Sequence, residues 1–353
     1  MIKNKMMALV LHAPGDLRYE EVDVPKIGPS DVLVQVEACA VCGSDPYRIM
    51  VSGTYRYPTI PGHESAGEIV EAGECVENVK VGDRVSIAAI IPCMKCDWCY
   101  MGEYTICDNY DFIGSRSDGA YAEFVKAPSR NCFIMPEVLS FEEAACIDPI
   151  CVALHGIRQA GGIDVGDDVA VLGMGPIGLY AIQWAKIFGA RQIYAVDLLR
   201  EKLELAKELG ADVLIDASEQ DVVKTVLDMT NKQGVELVME TAGSSKTQLM
   251  TIQIVKKLGN VVLIGTSHSD ILFEDKIFTQ IYRKECRLMG SINYRFVPPH
   301  NEWVLSQDYI VDGRFKVKPI ISHKFKFSEG PKMFKKLYNR EFLFNKVIFV
   351  PDK

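Results

Sequence analysis

The sequence predicts an α/β protein of two domains, a small, partly closed antiparallel β-barrel and a doubly wound parallel sheet. Three observations predict it. The chain has 353 residues, too many for one ordinary hydrophobic core. Its first third alternates apolar and polar side chains between glycine and proline breaks, the pattern of strands with one buried face. From Asp167 the pattern becomes strands alternating with helices, which calls for a parallel sheet.

Residues 7–40 carry the first pattern, as in Val32-Leu33-Val34-Gln35-Val36-Glu37-Ala38, with turns at Pro14-Gly15 and Gly28-Pro29. It resumes after Glu64, punctuated by Gly67, Gly73 and Gly82, and runs to Val85-Ser86-Ile87. Between the two lies Cys42 to Glu64, a stretch with Cys42 at one end and His63-Glu64 at the other. A thiolate, an imidazole and a carboxylate are ligand types that hold Zn2+ in an open site. Ser44 stands two residues past the cysteine, where its hydroxyl can pass a proton.

Cys93, Cys96, Cys99 and Cys107 come next, with the spacing C-x2-C-x2-C-x7-C. Three thiols on a tight loop and a fourth closing the set make a tetrahedral site with no open position, so the metal there is expected to be structural. An iron–sulfur cluster is the competing occupant, set below zinc because no proline follows the last cysteine. After a further β-like stretch, Gly119 to Val125, residues 142–155 read as a helix interrupted around Pro149. Asp148 either turns back towards the metal of Cys42 and His63 or caps the helix. His155 reads as a packed histidine.

The second domain opens with strand Val169-Ala170-Val171-Leu172, runs into Gly173-Met174-Gly175-Pro176-Ile177-Gly178, and continues as a helix through Ala190. Gly-x-Gly-x-x-Gly alone is weak. Here it follows a strand, opens a helix with Pro176 in the first turn, and has Asp197 nineteen residues after Gly178. In that context it reads as a Rossmann fingerprint, in which Gly173, Gly175 and Gly178, with Pro176 and Ile177 between them, let a pyrophosphate approach a helix N-terminus. Asp197 can accept from ribose hydroxyls and repels a 2'-phosphate, which favours NAD, whereas Arg200, three residues on, argues the other way. Strands are expected at residues 192–196, 211–215, 235–239, 260–264 and 287–289, with helices near 200–209, 219–229 and 246–257. The tail from Tyr294 reverts to short mixed elements and a final β run, Lys346 to Val350, which is expected to complete the first domain.

Composition narrows the function. A net charge of −8 argues against non-specific nucleic-acid binding, and it means that any anionic substrate must be met by a local basic pocket. The one apolar run long enough for a membrane, Val169 to Phe188, is broken by Gly173, Gly175, Pro176 and Gly178. The first eight residues show no signal-peptide pattern, and most of the eleven cysteines are expected to be reduced or on metal, as in a cytoplasmic protein.

With these pieces in place, the chain resembles the zinc-dependent medium-chain dehydrogenase/reductase family from end to end. Gly62-His63-Glu64-Ser65-Ala66-Gly67, with Gly73 and Val76, is similar to its zinc motif, and the four spaced cysteines to its structural zinc lobe, here about residues 90–110. The resemblance implies a GroES-like catalytic domain from residues 1–155 and 293–353, with a Rossmann domain of residues 156–292 between them. Glu64 after His63 and an acidic residue before Pro149 resemble the polyol dehydrogenase branch. Cys42-Gly43-Ser44-Asp45, the string Tyr110 to Arg116, Gly290-Ser291 and Asn293-Tyr294 resemble members of it that act on polyol phosphates. Asp148 stands where that branch has glutamate; being one methylene shorter, it leaves Glu64, a water or Cys151 as other ways to complete the shell. The carboxylates would also suit Mn2+, but the Cys42 thiolate favours zinc.

The resemblance implies an enzyme with two zincs per chain, one catalytic and one structural, and NAD. Its catalytic residues would be Cys42, Ser44, His63, Glu64 and Asp148, its substrate a sugar alcohol or its phosphate, and its assembly a homodimer or homotetramer. A phosphate on the substrate would call for Arg48 or Arg116. A neutral polyol or amino alcohol is the second expectation, and a non-catalytic NAD(H)-binding zinc protein the third.

Overall fold

The computed structural model describes residues 4–299 and 301–352; the outermost residues of the expected catalytic domain, 1–3 and 353, and His300 lie outside them. The chain divides into two compact units, the first made of Met1–Asp148, Arg295–Gly313 and Ile321–Lys353, the second of Pro149–Tyr294 and Arg314–Ile320.

In the first unit, seven strands form one sheet. Ile321–Lys326 lies parallel to Lys346–Val350, and Asp31–Ala40, Glu64–Ala72, Arg84–Ile87 and Cys132–Ile134 continue antiparallel from there. Phe124–Pro128 pairs with Asp31–Ala40 beside the main path. Lys5–Ala13 and Asp16–Asp23 make a separate hairpin, joined to the rest by bridges Ala8–Ala122 and Leu11–Thr59. The expected strand Gly119 to Val125 is mostly irregular; glycines 62, 114 and 119 meet there so closely that a Cβ on Gly119 would lie 2.2 Å from the Gly62 carbonyl oxygen. The alternating residues Val32, Val34 and Val36 pack with Ile69, Val85, Tyr121, Phe334, Val347 and Phe349 in one core.

The second unit holds six parallel strands in the order Val213–Asp216, Gln192–Asp197, Asp168–Leu172, Val235–Glu240, Val255–Leu263, Arg287–Gly290. The first three run outward in one direction and the last three in the other. The direction therefore switches between Asp168–Leu172 and Val235–Glu240, where ligands of doubly wound sheets bind. No helix among the described residues is long and apolar enough to cross a membrane. The helical break expected at Pro149 falls at Cys146, between helices Phe141–Ala145 and Ile147–Gln159. Pro149 is the third residue of the second helix, in the turn whose N–H groups have no intrahelical acceptor, so the ring costs it nothing.

Candidate active site and metal centres

Strand register assembles the first centre. Ala40, the last residue of its strand, pairs with Glu64 on one side and Ile348 on the other. Cys42 follows Ala40 by two residues, His63 precedes Glu64, and Lys346 opens the third strand, so three strand ends deliver four functional side chains to one place. The chain between Cys42 and His63 makes a short helix, Asp45–Tyr47, and a π-helical turn, Arg48–Ser52.

The ligand atoms of Cys42, His63 and Glu64 lie within 4.8 Å of one another. His63 and Glu64 are buried and Cys42 is half-buried. Ser44 donates its hydroxyl to the Cys42 sulfur at 3.3 Å. Asp148, buried in the first turn of its helix, is not part of this cluster.

Three groups that the sequence does not single out support these residues. Asp45 is fully buried; its Oδ2 accepts from the Cys42 N–H at 3.1 Å and from the Tyr121 hydroxyl at 2.7 Å. Its Oδ1 stands 3.8 Å from His63 Nδ1, close enough for charge to act but beyond a hydrogen bond. Lys346, 1% exposed, donates to Glu64 Oε2 at 2.6 Å and to the Val41 carbonyl at 3.0 Å. Burial works against its ammonium, yet Glu64, Cys146 and Cys42 together raise its pKa. Loss of solvent, followed by the Glu64 and Asp45 charges, pushes the Cys42 thiol up to about 12.

A divalent cation fits this site. The Glu64 and Asp45 carboxylates against one buried ammonium leave a negative charge in a region that excludes water, a cation would let the Cys42 thiol ionise, and His63 Nδ1 and Asp45 Oδ1 lack hydrogen-bond partners. Sulfur, nitrogen and oxygen donors together suit zinc.

The second centre is Cys93, Cys96, Cys99 and Cys107. Its sulfurs lie 3.5 Å (96–99), 3.8 Å (96–107) and 4.0 Å (93–99) apart. Four sulfurs at the usual zinc–sulfur length on a tetrahedron stand about 3.8 Å from each other. The backbone N–H of Lys95 leads in drawing the Cys93 thiol down to about 6, while burial pushes Cys99 up to about 12. One cation among the four would remove that conflict, and the closed set leaves no position for a substrate.

The glycine turn of the second unit is packed to backbone contact. Gly173 has φ +98°, and a Cβ there would lie 2.7 Å from Ala242. A Cβ on Gly178 would lie 1.9 Å from the Gly173 carbonyl oxygen. Helix Pro176–Phe188 starts directly from Gly175 with Pro176 in its first turn, leaving its N-terminal N–H groups open to an anion. Asp197 closes the strand beside it; Oδ2 accepts from the Met174 N–H at 2.6 Å and Oδ1 from those of Leu198 and Leu199. Arg200 is exposed and paired with Glu204 at 2.5 Å, which engages the charge that a 2'-phosphate would need.

The comparisons agree with this geometry. Residues 28–137 match the alcohol dehydrogenase GroES-like domain and residues 176–307 the zinc-binding dehydrogenase family. Galactitol 1-phosphate 5-dehydrogenase of Escherichia coli (strain K12) is 35% identical over 324 residues, covering 91% of this chain and 93% of the relative. The chain belongs to the zinc-binding dehydrogenases. L-threonine 3-dehydrogenase of Pyrococcus horikoshii is 34% identical, over 92% of this chain and 93% of the relative. Among solved structures, galactitol-1-phosphate dehydrogenase from Escherichia coli superposes with a TM-score of 0.92 at 33% identity, covering 98% of this chain and 100% of that one. As a zinc-binding dehydrogenase the chain is an oxidoreductase of alcohols, with zinc and NAD as cofactors.

Proposed function

We propose that the chain oxidises a secondary alcohol of a polyol phosphate to the corresponding ketose phosphate, as its relative galactitol 1-phosphate 5-dehydrogenase is named for doing. The observation that carries the chemistry is the cluster Cys42, His63 and Glu64 with the Ser44 hydroxyl on the Cys42 sulfur. Zinc bound there supplies Lewis acidity towards the alcohol, and NAD supplies the hydride acceptor.

The chain's own residues do the rest. Cys42, His63 and Glu64 hold the metal, while Asp45 fixes the Cys42 backbone through its N–H and Lys346 holds Glu64. Asp148 is left to shape the wall or to bind through a water. Ser44 Oγ takes the proton leaving the substrate hydroxyl and passes it on. Gly173, Gly175 and Gly178 admit the pyrophosphate, and Asp197, held beside the turn by the Met174 N–H, accepts from the ribose hydroxyls. Cys93, Cys96, Cys99 and Cys107 hold the structural zinc. A neutral polyol or an amino alcohol is the second reading, supported by a threonine dehydrogenase that is almost as similar in sequence.

The test is reduction of NAD with galactitol 1-phosphate beside galactitol, sorbitol and threonine, on protein whose zinc has been counted. We expect two zincs per chain, the phosphate ester far ahead, one zinc in Cys42→Ala, and turnover in that variant lost by at least about a thousandfold. Faster turnover of a neutral alcohol would transfer the assignment to the second reading. Full activity in Cys42→Ala would remove the proposed site altogether.

A further inference from the structure

Arg116 is a charged side chain held in place without a counter-charge. Its guanidinium carbon lies 4.2 Å from the centre of the Tyr55 ring and 4.5 Å from that of Tyr110, so two aromatic faces grip it. Among the described residues no carboxylate pairs with it. The nearby acids are engaged elsewhere: Asp118 takes Arg56 at 2.7 Å and the Ile60 N–H at 3.0 Å, and Asp111 takes the Phe112 N–H at 2.7 Å. The two tyrosines also hydrogen-bond to the guanidinium, Tyr110 foremost, and the N–H groups they leave over are of the kind that meets carboxylate or phosphate in a fork.

The position of Arg116 is tied to the first centre. The Phe112 carbonyl accepts from the N–H groups of Ser115, Arg116 and Ser117 at 3.2, 3.0 and 3.3 Å, folding the chain into a tight turn on that residue. The Phe112 ring in turn packs edge-on against His63, with centroids 5.3 Å apart. Tyr55 follows the π-helical turn that continues from Ser44. One clamp ring thus belongs to the Cys42–His63 excursion and the other to the strand-turn packed on His63.

We propose that Arg116, clamped between Tyr55 and Tyr110, is the phosphate-recognition residue that separates a polyol phosphate from the free polyol. This rests on the polyol-phosphate reading above. On a chain with net charge −8, an exposed guanidinium with no carboxylate partner can meet a phosphate without first giving up an ion pair, and the two tyrosines restrict the side-chain freedom that binding would cost. Arg48, one turn after Ser44 and with a buried Nη1 that has no partner, is the competing residue.

The experiment compares kcat/KM for galactitol 1-phosphate with that for galactitol in the wild type, Arg116→Gln, Arg116→Lys and Arg48→Gln. Arg116→Gln is expected to lower the ratio about 10- to 100-fold, through the KM of the ester, while kcat/KM for galactitol is kept. Lysine, which restores the charge but not the fork, should recover part of it. An equal loss on both substrates, an unchanged ratio, or a ratio that falls in Arg48→Gln alone would overturn the proposal. A wild-type ratio near one would instead remove the polyol-phosphate reading. In that event inorganic phosphate decides: competitive inhibition of galactitol oxidation in the wild type but not in Arg116→Gln supports an anion site, and inhibition equal in both, or absent from both, overturns it.

Discussion

The pair Lys346–Glu64 shows how a single residue far along the chain conditions the metal centre. Both side chains are buried, and their contact at 2.6 Å offsets the cost of holding a carboxylate away from water. Removing one partner of such a pair costs about 3–5 kcal/mol when the other is left uncompensated. In Lys346→Met the metal remains as a second counter-charge, so the loss should depend on zinc. Denaturant unfolding in chelator should show about 3 kcal/mol or more lost, and clearly less in the zinc-loaded protein. Equal losses in the two conditions would mean that Lys346 acts through packing alone. This residue also marks a boundary of what the sequence discloses. Cys42, Ser44, His63 and Glu64 can be found from a local string, because ligand chemistry restricts the residue types and their neighbours. Lys346 cannot, since it is a lysine opening an apolar run and its partner lies 282 residues away. Asp45 is in plain view within Cys42-Gly43-Ser44-Asp45, but its contact with His63 is made only when the loop folds back. Arg116 is visible as a candidate; its two tyrosines, one of them sixty-one residues upstream, are not.

Elements whose periodicity is local are the easiest to read. The alternation of strand and helix after Asp167 announces a parallel sheet because its central strands, Asp168–Leu172 and Val235–Glu240, are buried on both faces and read as near-continuous apolar runs. The glycine turn is legible for a related reason, since contact between backbones admits no other residue. Gly178→Ala should therefore cost more than a helix-propensity change. Its Cβ would meet the Gly173 carbonyl oxygen at 1.9 Å and Thr241 Oγ1 at 2.9 Å, and Thr241 itself donates to that carbonyl at 2.7 Å. We expect a loss of about 1–3 kcal/mol in stability and at least about a tenfold weaker affinity for NADH, followed by nucleotide fluorescence. Wild-type affinity in the variant would show that the turn can open without consequence. Less legible are elements decided by tertiary contact. Cys146 ends one helix and lets the next begin, although Pro149 is the stronger breaker, because proline is tolerated in a first turn. The parallel pairing of Ile321–Lys326 with Lys346–Val350 has no local signal, since the helix Gly330–Tyr338 between them reads as part of a mixed tail.

The division of the whole molecule into two units gives the cofactors separate places to stabilise. The proposed zinc ligands all belong to the first unit and the glycine turn to the second. Of the three tryptophans, Trp184 lies in the second unit and Trp98 and Trp303 in the first, so Trp184→Phe leaves emission that reports the first unit only. In that variant a chelator should lower the melting temperature seen by tryptophan by roughly 5–10 °C, the shift expected for losing a ligand held at about a hundred times its dissociation constant. No shift would argue that the metals contribute nothing to the fold around them. The place of Lys346–Val350, set between Ile321–Lys326 and Asp31–Ala40, has a further consequence during synthesis. A ribosome releases Glu64 long before it makes Lys346; at usual elongation rates the interval is on the order of ten seconds to a minute. Throughout that time the nascent sheet has an open edge at Asp31–Ala40, and the Glu64 carboxylate has no ammonium beside it. Zinc arriving early would meet Glu64 without its ammonium, and a product stopped before residue 346 leaves that buried carboxylate with the metal as its sole proposed counter-charge.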